Sequence, residues 1–262
     1  MDMTVKALLP KIFINERKQL RTGWKLLRVM AVFILLAFFM VLLANVIQLP
    51  GASKYVLHPA MIGASIFCAC VLEHKRMKEI GIAPWKGNAR HFVFGFVLFF
   101  LASCVIALIS YMMGNWEIGD GFGAHLLSFT VITNFLYWLL IVSGEEILFR
   151  GYMIAAFENK KVGIVCSSLL FASLHVFNPE YTAGAFLCIW ISGIVLGIAY
   201  VKTGNLWMGV GCHLANNWFQ ETIFQLPYAG EYMTACVLAF AAVILLRLPA
   251  NRERASQHQA VS

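Results

Sequence analysis

Ser143-Gly144-Glu145-Glu146-Ile147-Leu148-Phe149-Arg150-Gly151-Tyr152 stands inside an apolar run over 126–157. A run of that length reads as a membrane-spanning helix, since roughly 20 apolar residues cross the hydrocarbon, yet this one carries two carboxylates and a guanidinium. A charge at mid-bilayer costs about 2.5–3.5 kcal/mol on insertion scales, so such groups need a partner and a purpose. Helical geometry separates their jobs. Glu146 and Arg150 are four residues apart and share a face, with the acid N-terminal, which is the favourable order. Glu145 points about 100° away. Glu146 is therefore the paired, structural acid, and Glu145 is left to face a polar cavity as a general base toward water.

Outward from this stretch the chain has the character of a membrane protein. Of 262 residues 60% are hydrophobic and 13% charged, with mean hydropathy +0.76, where soluble domains carry about 25% charged residues. Apolar segments at 29–49, 56–73, 91–113, 126–157, 162–177, 183–201, 206–224 and 231–248 predict an all-α, polytopic bundle of about eight transmembrane helices with a polar intramembrane cavity. The predicted organisation is a basic, partly interfacial arm over 1–28, a transmembrane domain over 29–248 and a tail over 249–262. The net charge of +7 arises at the ends of apolar runs, not in a patch with exposed aromatics, so it argues for topology and against a nucleic-acid partner. Lys75, Arg76, Lys78, Lys86 and Arg90, then Lys160 and Lys161, then Lys202, occupy alternate connectors. The connectors between them lack Lys and Arg except for Lys54. That bias places the basic connectors and both termini in the cytoplasm. The seven cysteines fall within predicted spans without zinc-ligand spacing and read as small buried hydrophobes.

Two further spans carry polar groups. One ends in Phe171-Ala172-Ser173-Leu174-His175, and another contains His213-Leu214-Ala215-Asn216-Asn217, where His213 and Asn217 share a helical face. Counted at about 1.5 Å per residue from the cytoplasmic ends, Glu145, His175 and Asn217 all lie roughly 20 Å deep and His213 roughly 13 Å deep. The groups converge at one level. Gly144, Gly151, Gly209 and Gly211 flank them and read as close-packing positions. A general base acting on water at this depth needs water to reach it, and the expected route is a cavity open to the cytoplasm.

With these residues placed, the chain over about 75–225 resembles the CPBP family of intramembrane proteases, which includes the type II CAAX prenyl endopeptidases, the bacteriocin-processing and immunity (Abi) proteins and lysostaphin-resistance proteins. The resemblance rests on E-E-x-x-x-R at Glu145, Glu146 and Arg150, F-x-x-x-H at Phe171 and His175, and H-x-x-x-N at His213 and Asn217. Thr203-Gly204-Asn205-Leu206-Trp207 and Lys78-Glu79-Ile80-Gly81-Ile82 also look like this family. It implies a conical bundle in which the residue matching Glu145, assisted by that matching His175, activates water, while those matching His213 and Asn217 steady the oxyanion. A second description of the family makes Glu145, His175 and His213 ligands of a divalent metal such as zinc. The sequence, which lacks H-E-x-x-H, leaves that open.

The expected partners are membrane lipids and a membrane-associated or lipidated peptide substrate, and the expected location is a bacterial inner membrane. Two other functions compete. A membrane scaffold or immunity protein of the same fold would keep the polar residues for folding alone, and a proton-coupled transporter would use them as a relay but calls for inverted repeats, which the chain lacks.

Overall fold

The structure is a computed structural model and describes residues 12–16, 18–48, 52–119, 121–177, 181–226 and 243–247. Helix α1 spans Thr22–Val46. Helix α2, Ala52–Ile66, runs into a π-helical turn at Phe67–Leu72, and a 3-10 turn covers Met77–Ile80. Helix α3 spans Ala89–Met112 and α4 is the short Phe122–Leu126. Helix α5, Phe129–Glu145, continues as a π-helix over Glu146–Ile154. Helix α6, Lys160–Leu174, ends in a 3-10 turn at His175–Phe177. Helix α7 spans Ala183–Thr203, and α8, Trp207–Asn217, continues as a π-helix over Trp218–Ile223.

Five of these segments, Thr22–Val46, Tyr55–Leu72, Ala89–Met112, Phe129–Ile154 and Ala183–Thr203, are long and apolar enough to cross a membrane. The chain is an all-α membrane helix bundle and an integral membrane protein. Its outer wall bears the apolar side chains that a soluble protein hides, such as Ile34, Phe39 and Leu43 on α1 and Leu101 and Leu108 on α3, all exposed. The spans predicted at 162–177 and 206–224 are present as α6 and α8 with their one-turn extensions. Of the span predicted at 231–248 only the helical residues 243–247 are described. Residues 1–11 of the arm and the tail 249–262 also lie outside the described residues. Helix α1 already includes 22–28, so Lys25 and Arg28 belong to its first turns.

The connectors gather at two ends. At one, Thr22 Oγ1 donates to Ala156 O at 3.1 Å, Leu206 N to Gly81 O at 3.0 Å and Trp207 Nε1 to Ala83 O at 2.9 Å. Lys202 Nζ donates to Leu246 O at 2.9 Å, which brings residues 243–247 to the same end. At the other, Trp116 Nε1 donates to Phe224 O at 2.7 Å, and the His125 ring meets Thr222 O at 2.6 Å. The first end holds the Lys- and Arg-bearing connectors. There Glu73, just past Leu72, is clamped by Arg28, by Lys75 at 2.7 Å, by Lys25 at 3.8 Å and by the Tyr152 hydroxyl, which donates at 2.6 Å. Burial alone would push the Glu73 carboxyl up; hydrogen bonds from Lys75 and Tyr152 and the charges of Lys75 and Lys25 outweigh it and hold the carboxyl below its ordinary value of 4.5.

Between the ends, α3 and α8 form the most extensive helix contact, and glycine makes it possible. A Cβ on Gly211 would stand 2.3 Å from Phe92 O, and one on Gly95 2.4 Å from Met208 O. The two backbones touch at those positions. Gly144 does the same for α2 and α5, since its Cβ would meet His58 O at 2.8 Å.

Two expected outcomes follow. Gly211→Ala forces α3 and α8 apart, and overpacking of this kind costs about 1–3 kcal/mol; thermal melting in detergent should show the drop, and an unchanged midpoint would contradict the backbone contact. Because the folded carboxyl of Glu73 is depressed, its stabilisation is present above the unfolded value and is lost as pH falls through the folded one. Melting temperature should therefore fall on acidification below about pH 4.5 more steeply in wild type than in Glu73→Gln, and parallel curves would refute the clamp.

Candidate active site

Glu145 closes the regular part of α5, and the π-helix starts at the next residue. A π-helical turn carries more residues than an α-turn and recurs at functional sites. Here it begins between the only two adjacent glutamates in the chain. Glu146 is fully buried. Its Oε1 lies 3.1 Å from Arg150 Nη1 and 3.0 Å from His213 Nδ1. A carboxylate only accepts, so His213 donates its Nδ1 proton to Glu146 and turns Nε2 toward Glu145 Oε2, 3.5 Å away. The other oxygen of Glu146 fits because residue 209 is glycine: a Cβ there would stand 2.7 Å from Oε2.

The Arg150 guanidinium is buried and lies 4.3 Å over the Phe171 ring, a cation–π contact that offsets part of its desolvation. Phe171 in turn packs edge-on against His175, with centroids 4.6 Å apart, and against His213 at 5.9 Å. His175 Nδ1 stands 2.8 Å from Phe171 O. A carbonyl accepts, so Nδ1 carries the proton and Nε2 is the acceptor left for the cavity.

Glu145, His175, His213 and Asn217 line one cavity of about 350 Å³, with an apolar wall that includes Phe99, Ile106, Trp138 and Leu196. Glu146 and Arg150 lie behind this lining. Three polar groups join the site that the sequence reading did not name. His58 Nε2 stands 3.9 Å from Glu145 Oε1, and an ionisable residue beside Pro59 in an apolar span was the signal for it. Asn216 donates to Asn217 Oδ1 at 3.2 Å, and Gln220 donates to Asn216 Oδ1 at 2.7 Å. This relay occupies the Asn217 carbonyl and leaves its NH2 group for the cavity.

One expectation is corrected. The basic connectors and the mouth of the cavity were both assigned to the cytoplasm, and the structure separates them. The lining runs from Phe99, Glu145 and His213 outward to Ser110, Ala185 and Leu226, at the end opposite the basic connectors. Toward the basic connectors the site is closed by buried Glu146, Arg150, Tyr152 and Cys212. The reason is one of packing: on the basic side of Glu145 the close contact of α3 with α8 at Gly95 and Gly211 and the buried Glu146–Arg150 pair fill the bundle.

Residues 127–219 match the family model described as type II CAAX prenyl endopeptidase Rce1-like. The motif-bearing part of the chain lies within the matched residues. All of Glu145, Glu146, Arg150, Phe171, His175, His213 and Asn217 fall within it. The chain is 29% identical over 146 residues to the uncharacterized protein YyaK of Bacillus subtilis (strain 168), covering 51% of this chain and 48% of that protein. It is 24% identical over 151 residues to the UPF0177 protein YxdF of Lactococcus lactis subsp. lactis (strain IL1403), covering 54% of this chain and 81% of that protein. The match thus spans about half the length of the first of these relatives. By its description the Rce1-like family is a kind of protease.

The alternative role of Glu145, His175 and His213 is that of metal ligands. Among the described residues no three His, Cys, Asp or Glu side chains converge in a way that could hold a metal ion. The donor set does not fit a metal, and no chemical step is routed through one.

Arg150→Leu leaves Glu146 with one cationic partner fewer in a fully buried position. Breaking such a pair costs about 3–5 kcal/mol, so the variant should melt well below wild type in detergent, with the Glu146→Gln/Arg150→Leu double variant recovering part of the loss. A single variant as stable as wild type would show that the pair does not hold the bundle together.

Proposed function

We propose that the chain is an intramembrane endopeptidase that hydrolyses a peptide bond of a membrane-associated or lipidated polypeptide in a bacterial inner membrane. The observation that carries this reading is Glu145, a carboxylate facing the cavity with one imidazole at each oxygen, His58 at 3.9 Å and His213 at 3.5 Å, and with Asn217 on the same cavity. Neither the Glu146–Arg150 pair nor helix packing requires a second acid here. The Rce1-like match supports the reaction class, and the apolar wall suits a substrate that arrives with an aliphatic side chain or lipid.

Glu145 takes a proton from water as the water oxygen bonds to the scissile carbonyl carbon, with His175 Nε2 assisting. The carbonyl oxygen becomes an oxyanion, which the Asn217 amide holds by donating, with the fixed His213 ring beside it. As the C–N bond breaks, Glu145 returns the proton to the leaving nitrogen, so the products are a carboxylate and an amine. General base catalysis contributes about 10²–10⁴-fold and one oxyanion donor about 10²–10³-fold.

The test is cleavage of a panel of lipidated, leader and membrane-segment peptides by the purified full chain in detergent. Glu145→Gln should lower the rate by about 10²–10⁴-fold and Asn217→Ala by about 10²–10³-fold, each with melting close to wild type, and a chelator should leave wild type unchanged. A folded Glu145→Gln that still cleaves would remove the general base. Loss of activity to a chelator, restored by zinc, would replace the mechanism with a metal-dependent one.

A further inference from the structure

We propose that the cavity is loaded from the outer, non-cytoplasmic face of the membrane, so that its substrate is a polypeptide segment that has already been exported across it. The inference rests on the proposed peptide hydrolysis for what happens to the segment, and on the fold alone for the side from which the segment arrives.

Two independent sets of observations meet here. The first is charge. Hydrogen bonds between Thr22 and Ala156, Gly81 and Leu206, and Ala83 and Trp207 gather the start of α1 and three connectors at one end. Lys75, Lys78, Lys86, Lys160, Lys161 and Lys202 all belong to that end. At the other end the connector 113–119, held to the end of the Trp218–Ile223 helix through Trp116, contains Glu117 and neither Lys nor Arg. Residues 181–182 and 224–226 also have none, and Lys54 at the start of α2 is the exception at that end. Lys and Arg concentrate on the cytoplasmic side of short connectors, so the Glu73 clamp faces the cytoplasm and Trp116 faces out.

The second is the shape of the cavity. Six helical segments contribute to its lining, and from the level of Glu145, Phe99 and His213 the lining extends toward their Trp116 ends. Helix α2 supplies His58 near its start and α7 supplies Ala185 near its start; α3 supplies Ser110 near its end, and the last turn of the α8 segment supplies Glu221. Those four helices approach the Trp116 end at these positions. Helices α5 and α6 contribute Glu145 and Phe171, each at the inner limit of the cavity. Below that limit lie the fully buried Glu146 and Arg150 and the contact between α3 and α8 at Gly95 and Gly211. Water and a peptide therefore reach Glu145 from the Trp116 end. A lipidated tail lying on the cytoplasmic leaflet would meet the sealed end, whereas an exported chain, or the outer flank of a membrane-anchored one, meets the mouth. The reaction that must precede this one is translocation.

The experiment reads sidedness without reading proteolysis. Glu221→Cys at the mouth, Ile118→Cys on the outer connector and Lys86→Cys on the basic connector are made separately in the full chain and expressed in bacterial cells. Labelling by a membrane-impermeant maleimide is then measured in intact and in permeabilised cells. The wild-type chain, with its seven cysteines, gives the background. The proposal expects Glu221→Cys and Ile118→Cys to be labelled equally in intact and permeabilised cells, and Lys86→Cys only after permeabilisation. Labelling of Lys86→Cys in intact cells, or of the other two only after permeabilisation, overturns it. If Glu221→Cys does not fold, Ile118→Cys reads the same face by itself. An inactive Glu145→Gln chain gives the same labelling, so failure of the proposed chemistry and failure of the proposed sidedness are separate results.

Discussion

A carboxylate with no water around it must be held by donors, and Glu146 is held by two: the Arg150 guanidinium and the His213 ring, both on the same oxygen. The rest of the site depends on that arrangement. Arg150 comes from the same helix and neutralises the charge, while His213 comes from α8 and ties that helix to α5. Because His213 is bound through Nδ1, its other nitrogen can only point forward, to Glu145. One buried acid thus sets the orientation of the ring beside the other acid. Phe171 extends the same construction, with Arg150 on its face and His175 against its edge. A buried ion pair is weak support for stability by itself, but here it selects the geometry of four side chains from three helices.

Glycine completes what the charges begin. Gly209 leaves room for the free oxygen of Glu146, Gly144 lets His58 approach Glu145, and Gly95 with Gly211 brings α3 against α8 so that the cavity has a closed floor. In a bilayer apolar helices gain little by meeting one another, so association relies on close packing at small residues and on polar contacts across helices. This bundle uses both at the same level, which is why the polar groups stand in a defined cavity of about 350 Å³ and not along a loose seam.

Much of this was legible in the sequence. The all-α membrane bundle follows from the length and frequency of apolar runs, and the Glu146–Arg150 pairing from their spacing of four, although the intervening turn is π-helical. What escaped was what spacing along one helix cannot report. The pairing of His58 with Glu145 was not legible, because the approach depends on the contact of α2 with α5 at Gly144. The Gln220–Asn216–Asn217 relay crosses the junction between α8 and its π-helical continuation, and spacing along that helix does not say that it meets the cavity. The bond between His213 and Glu146 joins residues far apart in the chain. The direction in which the cavity opens escaped for a different reason: it is set by the side on which the helices close, at Gly95 and Gly211, and depth counted along single helices does not report that.

The central claim is that the two adjacent glutamates have different jobs because His213 stands between them with its Nδ1 proton given to Glu146. Nitrogen NMR of histidine-labelled protein in detergent, with the His213 signals assigned by their loss in His213→Asn, measures that directly. The account predicts an Nδ1 that keeps a strongly hydrogen-bonded proton in wild type and in Glu145→Gln, and that loses this signature in Glu146→Gln. A His213 ring carrying its only proton on Nε2, or one whose Nδ1 signal ignores Glu146→Gln, would contradict it.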